Sequence, residues 1–468
     1  MAQEGMSYVD DLDLLENSQD SSNLSEIASF FAGANVLITG GSGFVGKLLV
    51  EKLLRCCPDI ARLFFMIRPK KGNSSEERLS KQFDNIYDRL KKEQPNFSTK
   101  IVMIEGDVGN ENLGLSEESR KILLTTNVVF HAAATVRFDE SMRVATNVNI
   151  RGTKDLLEFA KEMSNLKAFV YISTAFSHCV HKFIEEKHYT PPIEPEKLLQ
   201  LVEILDDENS SCIDQLLPIT EDLVRTYSDV IPISIVRPSI MIPTSKDPIT
   251  GWIDNLYGAT GVCMGAGLGL LRTLHCDSSK IADIIPADYV ISAIVAAAWD
   301  TGSRRVPIYN LISSCQKPIR WGEYMRYNEV YGKCVPSTKV FWYYSFTLNP
   351  SYTVDFIYRV LLHLFPAVLV DSIAYLSGRK PILWKTYKKI HKFCGVISYF
   401  ANQEWRFNND TTLKLLSKLN ATDRKIFNFD LSTLDWEEYF QFHVVALQVY
   451  LLEEPDSCRE EGLKKQRK

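Results

Sequence analysis

A doubly wound parallel α/β sheet of the Rossmann type, followed by a smaller helical C-terminal domain, is the fold predicted for this 468-residue chain. Three observations carry that expectation. Residues 35–46, NVLITGGSGFVG, run a β-branched strand into a glycine-rich turn and then into the helical pattern KLLVEKLLRCC. Four more apolar strand segments, ARLFFMIRPKKG, KIVMIEGDV, NVVFHAAATV and KAFVYISTAF, follow with helical stretches between them. Strands and helices alternating at this length give a parallel sheet, with ligands in the crevice beyond the carboxyl ends of the strands. From about residue 346 the alternation stops and helical periodicity takes over. The boundaries expected are an acidic, Ser-rich disordered tail over 1–33, a dinucleotide-binding domain with a lid over 34–345, a helical domain over 346–455 and a basic tail over 456–468.

The first strand opens the binding site. Gly40, Gly43 and Gly46 stand at three-residue spacings after Thr39, so backbone amides can approach a pyrophosphate at the helix that begins with Phe44 and Val45. The second strand ends in Arg68, with Lys70 and Lys71 just beyond. An acidic residue there would accept from a free ribose 2′-hydroxyl, whereas this basic cluster suits a 2′-phosphate, so NADPH is the expected cofactor. Asp107 and Val108 end the third strand where an adenine edge is read. The fourth ends in Ala132 and Ala133, small enough for a cofactor to lie close, with His131 before them as a packed core histidine. The fifth ends in Ser173 and Thr174.

The remaining composition limits the function. A formal net charge of −5 gives no global attraction for nucleic acid, and ten cysteines scattered without a framework, with no signal peptide, point to a reducing, cytosol-facing environment. The cluster SHCVHKFIEEKH offers His178, Cys179, His181 and His188, but no second pair of ligands answers it, so no metal is expected. Residues 251–271, GWIDNLYGATGVCMGAGLGLL, hold many glycines and few charges and read as a flexible apolar lid over a hydrocarbon chain. The apolar stretch FIYRVLLHLFPAVLVDSIAYL includes Arg359, His363 and Asp371. An Arg or Asp near the centre of a span costs about 2.5–3.5 kcal/mol, so a helix lying in the interface, or a re-entrant hairpin broken at Pro366, is expected rather than a clean span. Ser432 is placed to cap the last long helix, with Glu437 in its first turn.

TGGSGFVGK, GDV, AATVRFDE, NVNIRGT, YISTAF, SIVRPSI and DIIPADYVISAIVAAAW, in this order, resemble the extended short-chain dehydrogenase/reductases and, among them, the fatty acyl-CoA reductases. The resemblance covers most of residues 34–454. It implies NADPH-dependent reduction of a long-chain fatty acyl-CoA through an aldehyde to a primary alcohol, with Ser173 or Thr174 polarising the carbonyl. It also implies attachment to the cytosolic face of the endoplasmic reticulum or peroxisome. A sugar-nucleotide epimerase of the same fold is the competing enzyme.

The superfamily's proton donor is a tyrosine with a lysine four residues on, on one helix face. Counted back from Glu221, those positions hold Ile213 and Leu217. The segment looks shortened, with Pro218 near the first turn of a truncated helix. The other Tyr-x-x-x-Lys, Tyr87 to Lys91, belongs to a helical segment before the third strand. A variant lacking a piece, a protein that binds NADPH or acyl-CoA without turnover, and an enzyme with a substitute acid are the alternatives this leaves.

Overall fold

The structure, a computed structural model, describes residues 24–68, 85–135, 140–204, 213–302 and 305–466. Lys70 and Lys71 lie outside them. Seven strands form one sheet: β1 (Asn35–Thr39), β2 (Arg62–Ile67), β3 (Ile101–Glu105), β4 (Val128–His131), β5 (Ala168–Ile172), β6 (Ile233–Pro238) and β7 (Ile308–Leu311). Their order is β7-β6-β5-β4-β1-β2-β3, every neighbouring pair parallel. The winding reverses between β1 and β4, and the carboxyl ends of those two strands open the crevice where such sheets bind ligands.

Strands buried on both faces must be apolar throughout, and Val36, Leu37 and Ile38 of β1 are fully buried. Alternation sends Val36 and Ile38 toward α1 (Phe44–Cys56) and α5 (Ala287–Asp300), while Leu37 faces α2 (Gly152–Lys161) and α3 (Ile213–Thr226). The helices α4 (Gly258–Gly267), α6 (Trp321–Gly332), α7 (Tyr352–Leu376), α8 (Leu383–Ala401) and α9 (Trp436–Leu451) lie in the region beyond the sheet, with shorter helices between and after them. Phe427 and Phe440 reach the same apolar core as β1 and α1.

Several expectations differ from what the chain does. Within the expected tail 1–33, Glu26–Phe31 is a helix, because Ile27 and Phe31, one turn apart, are fully buried and Ser25 and two amides bond the Asp423 carboxylate. The basic end likewise folds: Arg459–Gln466 is helical, with the Arg459 and Lys465 side chains donating to the Cys334 and Thr338 carbonyls. The glycine-rich segment forms helix α4 with Ala259, Val262 and Ala266 buried, since its small residues allow close packing. Asp435, not Ser432, caps α9, its carboxylate accepting from the Glu437 and Glu438 amides, while Ser432 sits in a short 3-10 turn; Glu437 does lie in the first turn of α9. Finally, α7 continues through Pro366 without a break. A π turn at Val360–Leu364 precedes it, and the wider winding there accommodates a residue with no amide hydrogen.

Candidate active site

The glycine turn is fixed by close approach of backbone to backbone. Gly40 has φ of 70°, and a Cβ on it would lie 2.8 Å from the Ala132 carbonyl and the Ala133 nitrogen. A Cβ on Gly46 would overlap the Gly40 carbonyl oxygen and Gly41 Cα. Gly43 precedes α1 without any side-chain cap, so the amides of the first turn are left to a ligand. This cradle fits a dinucleotide pyrophosphate. Gly46→Val is therefore expected to abolish dinucleotide binding, read by calorimetry, because the obstructing atoms are backbone and cannot swing aside. Unchanged affinity would show that the turn is not the phosphate cradle.

The neighbouring strands bring the other predicted residues to the same edge. Ile38 pairs with Phe65, so Arg68, three residues on, leaves β2 beside the glycine turn with its side chain exposed. Ile67 pairs with Glu105, which sets Asp107 close by. The Asp107 carboxylate accepts from the Gly109 amide at 2.9 Å, and Val108 is held by Gly152, where a Cβ would overlap the Val108 carbonyl.

His131 is buried, with one ring nitrogen on each side in use. The Ala133 amide donates to Thr39 Oγ1 (3.3 Å), which lies 2.7 Å from His131 Nδ1; His131 Nε2 lies 2.9 Å from Thr153 Oγ1, whose hydroxyl donates to the Asn149 carbonyl at 2.6 Å. Since Thr153 spends its proton on Asn149, Nε2–H must donate and Nδ1 must accept from Thr39. Burial lowers the His131 pKa to about 4, keeping the ring neutral as that chain of bonds requires. Asn149 also clamps both backbone groups of Thr135. Together these bonds tie the ends of β1 and β4 to α2, which holds the loop carrying Ala132 and Ala133 in place.

At the end of β5 the structure adds a group that the sequence reading did not assign. Glu221 of α3 is buried and accepts from Ser173 Oγ at 2.5 Å and Ser177 Oγ at 2.9 Å, with His178 Nε2 2.9 Å from its other oxygen. The Arg237 guanidinium, fully buried on β6, pairs with both carboxylate oxygens and donates to the Glu185 and Lys187 carbonyls. Burial would raise the Glu221 pKa, but the Arg237 charge and the bonds from His178 and Arg237 outweigh it and hold the carboxyl well below the ordinary range. Ser173 thus spends its proton on Glu221. Thr174 donates more loosely, to the Pro238 carbonyl at 3.3 Å. Two signals were present in the sequence: an arginine inside the apolar strand ISIVRP, and a glutamate four residues after Leu217.

Leu217 and Glu221 stand one turn apart on one face of α3, and Ile213 lies four residues before Leu217 in the same helix. Leu217 is half-buried. Pro218 lies inside α3, five residues after Ile213, rather than in a first turn, because the helix begins by Ile213. Tyr87 is fully buried with its hydroxyl on the Lys47 carbonyl, and Lys91 pairs with Asp88, so neither belongs to the crevice of Ser173.

Comparison with known proteins identifies the relatives of this chain. A family model described as male sterility protein matches residues 38–294, and a second of the same description matches 362–454. Fatty acyl-CoA reductase wat of Drosophila melanogaster is 35% identical over 463 residues, covering 95% of this chain and 89% of its own length. Fatty acyl-CoA reductase 1 of Rattus norvegicus is 35% identical over 453 residues, covering 92% and 86%. In fold, the terminal R domain of the myxalamid biosynthetic pathway superposes with a TM-score of 0.58 at 21% identity, covering 89% of this chain and 91% of that one. The reductase domain of a nonribosomal peptide synthetase from Mycobacterium tuberculosis gives 0.59 at 18%, covering 91% and 96%.

Proposed function

We propose, for a chain that belongs to the fatty acyl-CoA reductase family and is therefore an oxidoreductase, the NADPH-dependent reduction of a long-chain fatty acyl-CoA to the primary alcohol. The observation that carries this is the meeting, at the β1/β4 switch point, of an open phosphate cradle with the Ser173–Thr174 hydroxyls one strand away. The relatives favour turnover over a chain that only binds.

The turn from Thr39 to Gly46 holds the pyrophosphate, Arg68 and the lysines after it the adenosine phosphate, Asp107 and Val108 the adenine, and Ala132 and Ala133 the nicotinamide side. Bound there, NADPH supplies hydride to the acyl carbon. Thr174 polarises the carbonyl oxygen, because its proton is the less firmly engaged of the two hydroxyls. Glu221 keeps Ser173 oriented beside it. The test incubates the purified chain with NADPH and a long-chain acyl-CoA and follows both NADPH loss and fatty alcohol. Absence of NADPH consumption by a folded chain that binds NADPH would overturn the proposal.

Preference for NADPH over NADH follows from Arg68. Each well-placed charge-assisted contact to the 2′-phosphate is worth about 1.5–3 kcal/mol, roughly ten- to a hundredfold in affinity. Arg68→Asp is expected to reverse the preference, measured as the ratio of the two dissociation constants. Equal affinities in the unmutated protein would remove the assignment.

For location, the reading is peripheral attachment to the cytosolic face of the endoplasmic reticulum or peroxisome through α7. That helix is long and apolar enough to cross a membrane by length and composition. Its own contacts support one that lies flat: Asp355 accepts from Thr273 Oγ1 at 2.7 Å, His363 Nε2 from the Arg272 amide at 2.9 Å, and Ala367 is fully buried. These residues stand on one stripe against the body of the protein, and a spanning helix would lose every one of those contacts.

A further inference from the structure

We infer that the hairpin of α7 and α8, with the aromatic loop at Phe341–Tyr343, is a docking surface for an anionic bilayer, which sets the apolar helix α4 at the lipid boundary. The inference rests on the membrane attachment proposed above and adds the lipid chemistry and the route of the acyl chain.

The face of α7 opposite its anchored stripe is apolar and open. Phe365, Ile373 and Leu376 are 64%, 56% and 84% exposed. A contiguous apolar face of this kind on a folded chain marks an interaction site. Asp371, the one acid beyond the anchored stripe, accepts from the amides of Ile382, Leu383 and Trp384 and so closes the hairpin at the start of α8.

Charge complementarity selects the occupant. Lys385, Lys388, Lys389 and Lys392 recur at the spacing of one helix face and are exposed, while Tyr387 and Cys394 of α8 are buried, Tyr387 stacking on His363 at 4.9 Å. Arg379 and Lys380 are exposed in the turn before it. Residues 352–401 thus carry seven Lys and Arg against two Asp, a local net charge of +5 in a chain whose total is −5. An apolar helix face beside a cationic one fits the acyl and headgroup layers of an anionic lipid surface.

The aromatic loop extends this face. Phe341, Trp342 and Tyr343 are 56–71% exposed. The Arg272 guanidinium lies 5.1 Å and 5.3 Å from the Trp342 and Tyr343 ring centres while its amide bonds His363, so these rings stand beside α7. Exposed aromatics there suit the headgroup level of a bilayer. Helix α4 meets the same assembly: a Cβ on Gly261 would come within 2.9 Å of the Phe393 ring of α8. An acyl chain leaving the bilayer at α8 would therefore meet α4 without crossing water.

The test is vesicle flotation of the full chain. On vesicles containing phosphatidylserine, binding is expected to exceed that on pure phosphatidylcholine by about tenfold or more and to fall with added salt. Replacing Lys385, Lys388, Lys389 and Lys392 by Glu should erase that gain and keep the residual binding. Leu369→Asp with Ile373→Asp should remove both, and each variant is checked for retained NADPH binding. Equal binding to neutral and anionic vesicles would overturn the anionic inference while leaving attachment intact. Binding to neither, with a dimer by light scattering that the Asp variant dissociates, would assign the face to a second copy of the chain and overturn both. Turnover of acyl-CoA in detergent reports separately on the reductase reading.

Discussion

Glu221→Ala is expected to destabilise the protein by about 3–5 kcal/mol, the usual result of leaving a buried charge without its partner. Arg237 is fully buried and gives its guanidinium to Glu221 and two backbone carbonyls. The substitution also strips the acceptor from Ser173, Ser177 and His178. Denaturant unfolding checks the size. The double variant Glu221→Ala with Arg237→Leu should lose less than the sum of the single losses, because the uncompensated charge goes with the second change. The pH dependence has a definite sign. The folded pKa of Glu221 lies below its ordinary value of 4.5, so its contribution is complete above that value and is lost as pH falls toward the folded pKa. The gap between the parent protein and Glu221→Ala should therefore narrow in strong acid. A loss under about 1 kcal/mol at neutral pH would show that the cluster is not held by this pair.

Why some of this was legible in the sequence and some was not follows from the range of the interactions. The five strands of the first half and the cradle at Gly40, Gly43 and Gly46 are local: a β-branched run, three glycines and a helical period within about twenty residues. The ends of β2, β3, β4 and β5 then followed, because a parallel sheet with this strand order brings Arg68, Asp107, Ala132 and Ser173 to one edge. The Glu221–Arg237 pair was legible only in its parts: an arginine inside the apolar strand ISIVRP marks a buried charge, but no periodicity ties it to a glutamate on a separate helix. Pro218 was misplaced because a proline normally signals a helix start, and here packing of Leu216 and Ile219 into the core carries the helix through it. The tail helix Glu26–Phe31 was missed because its stability comes from Asp423, nearly four hundred residues away.

Ile213→Tyr combined with Leu217→Lys is expected to shift the product further toward fatty alcohol, a placed general acid being worth up to about 10²- to 10⁴-fold where none acts in the parent. The backbone is ready for the change. Helix α3 runs from Ile213 to Thr226, and the two positions precede Glu221, which holds Ser173, by eight and four residues. The effect should differ between the two halves of the reaction. In the first, hydride addition to the thioester gives a tetrahedral alkoxide that re-forms its carbonyl as the C–S bond breaks. The leaving thiolate, from a thiol with pKa about 8.5, carries off the electron pair without needing a proton on oxygen. In the second, hydride addition to the aldehyde gives an alkoxide with nothing to expel, and the step is complete only when that oxygen takes a proton. A tyrosine hydroxyl at position 213, with a lysine at 217 lowering its pKa, serves the second step far more than the first. The double variant should therefore shift product from aldehyde toward alcohol while thioester consumption rises much less, measured by chromatography of both products against NADPH oxidised. If a folded, NADPH-binding double variant makes aldehyde and alcohol in the parent's ratio and at the parent's rate, positions 213 and 217 do not face the reacting carbonyl and another group of this chain protonates the alkoxide.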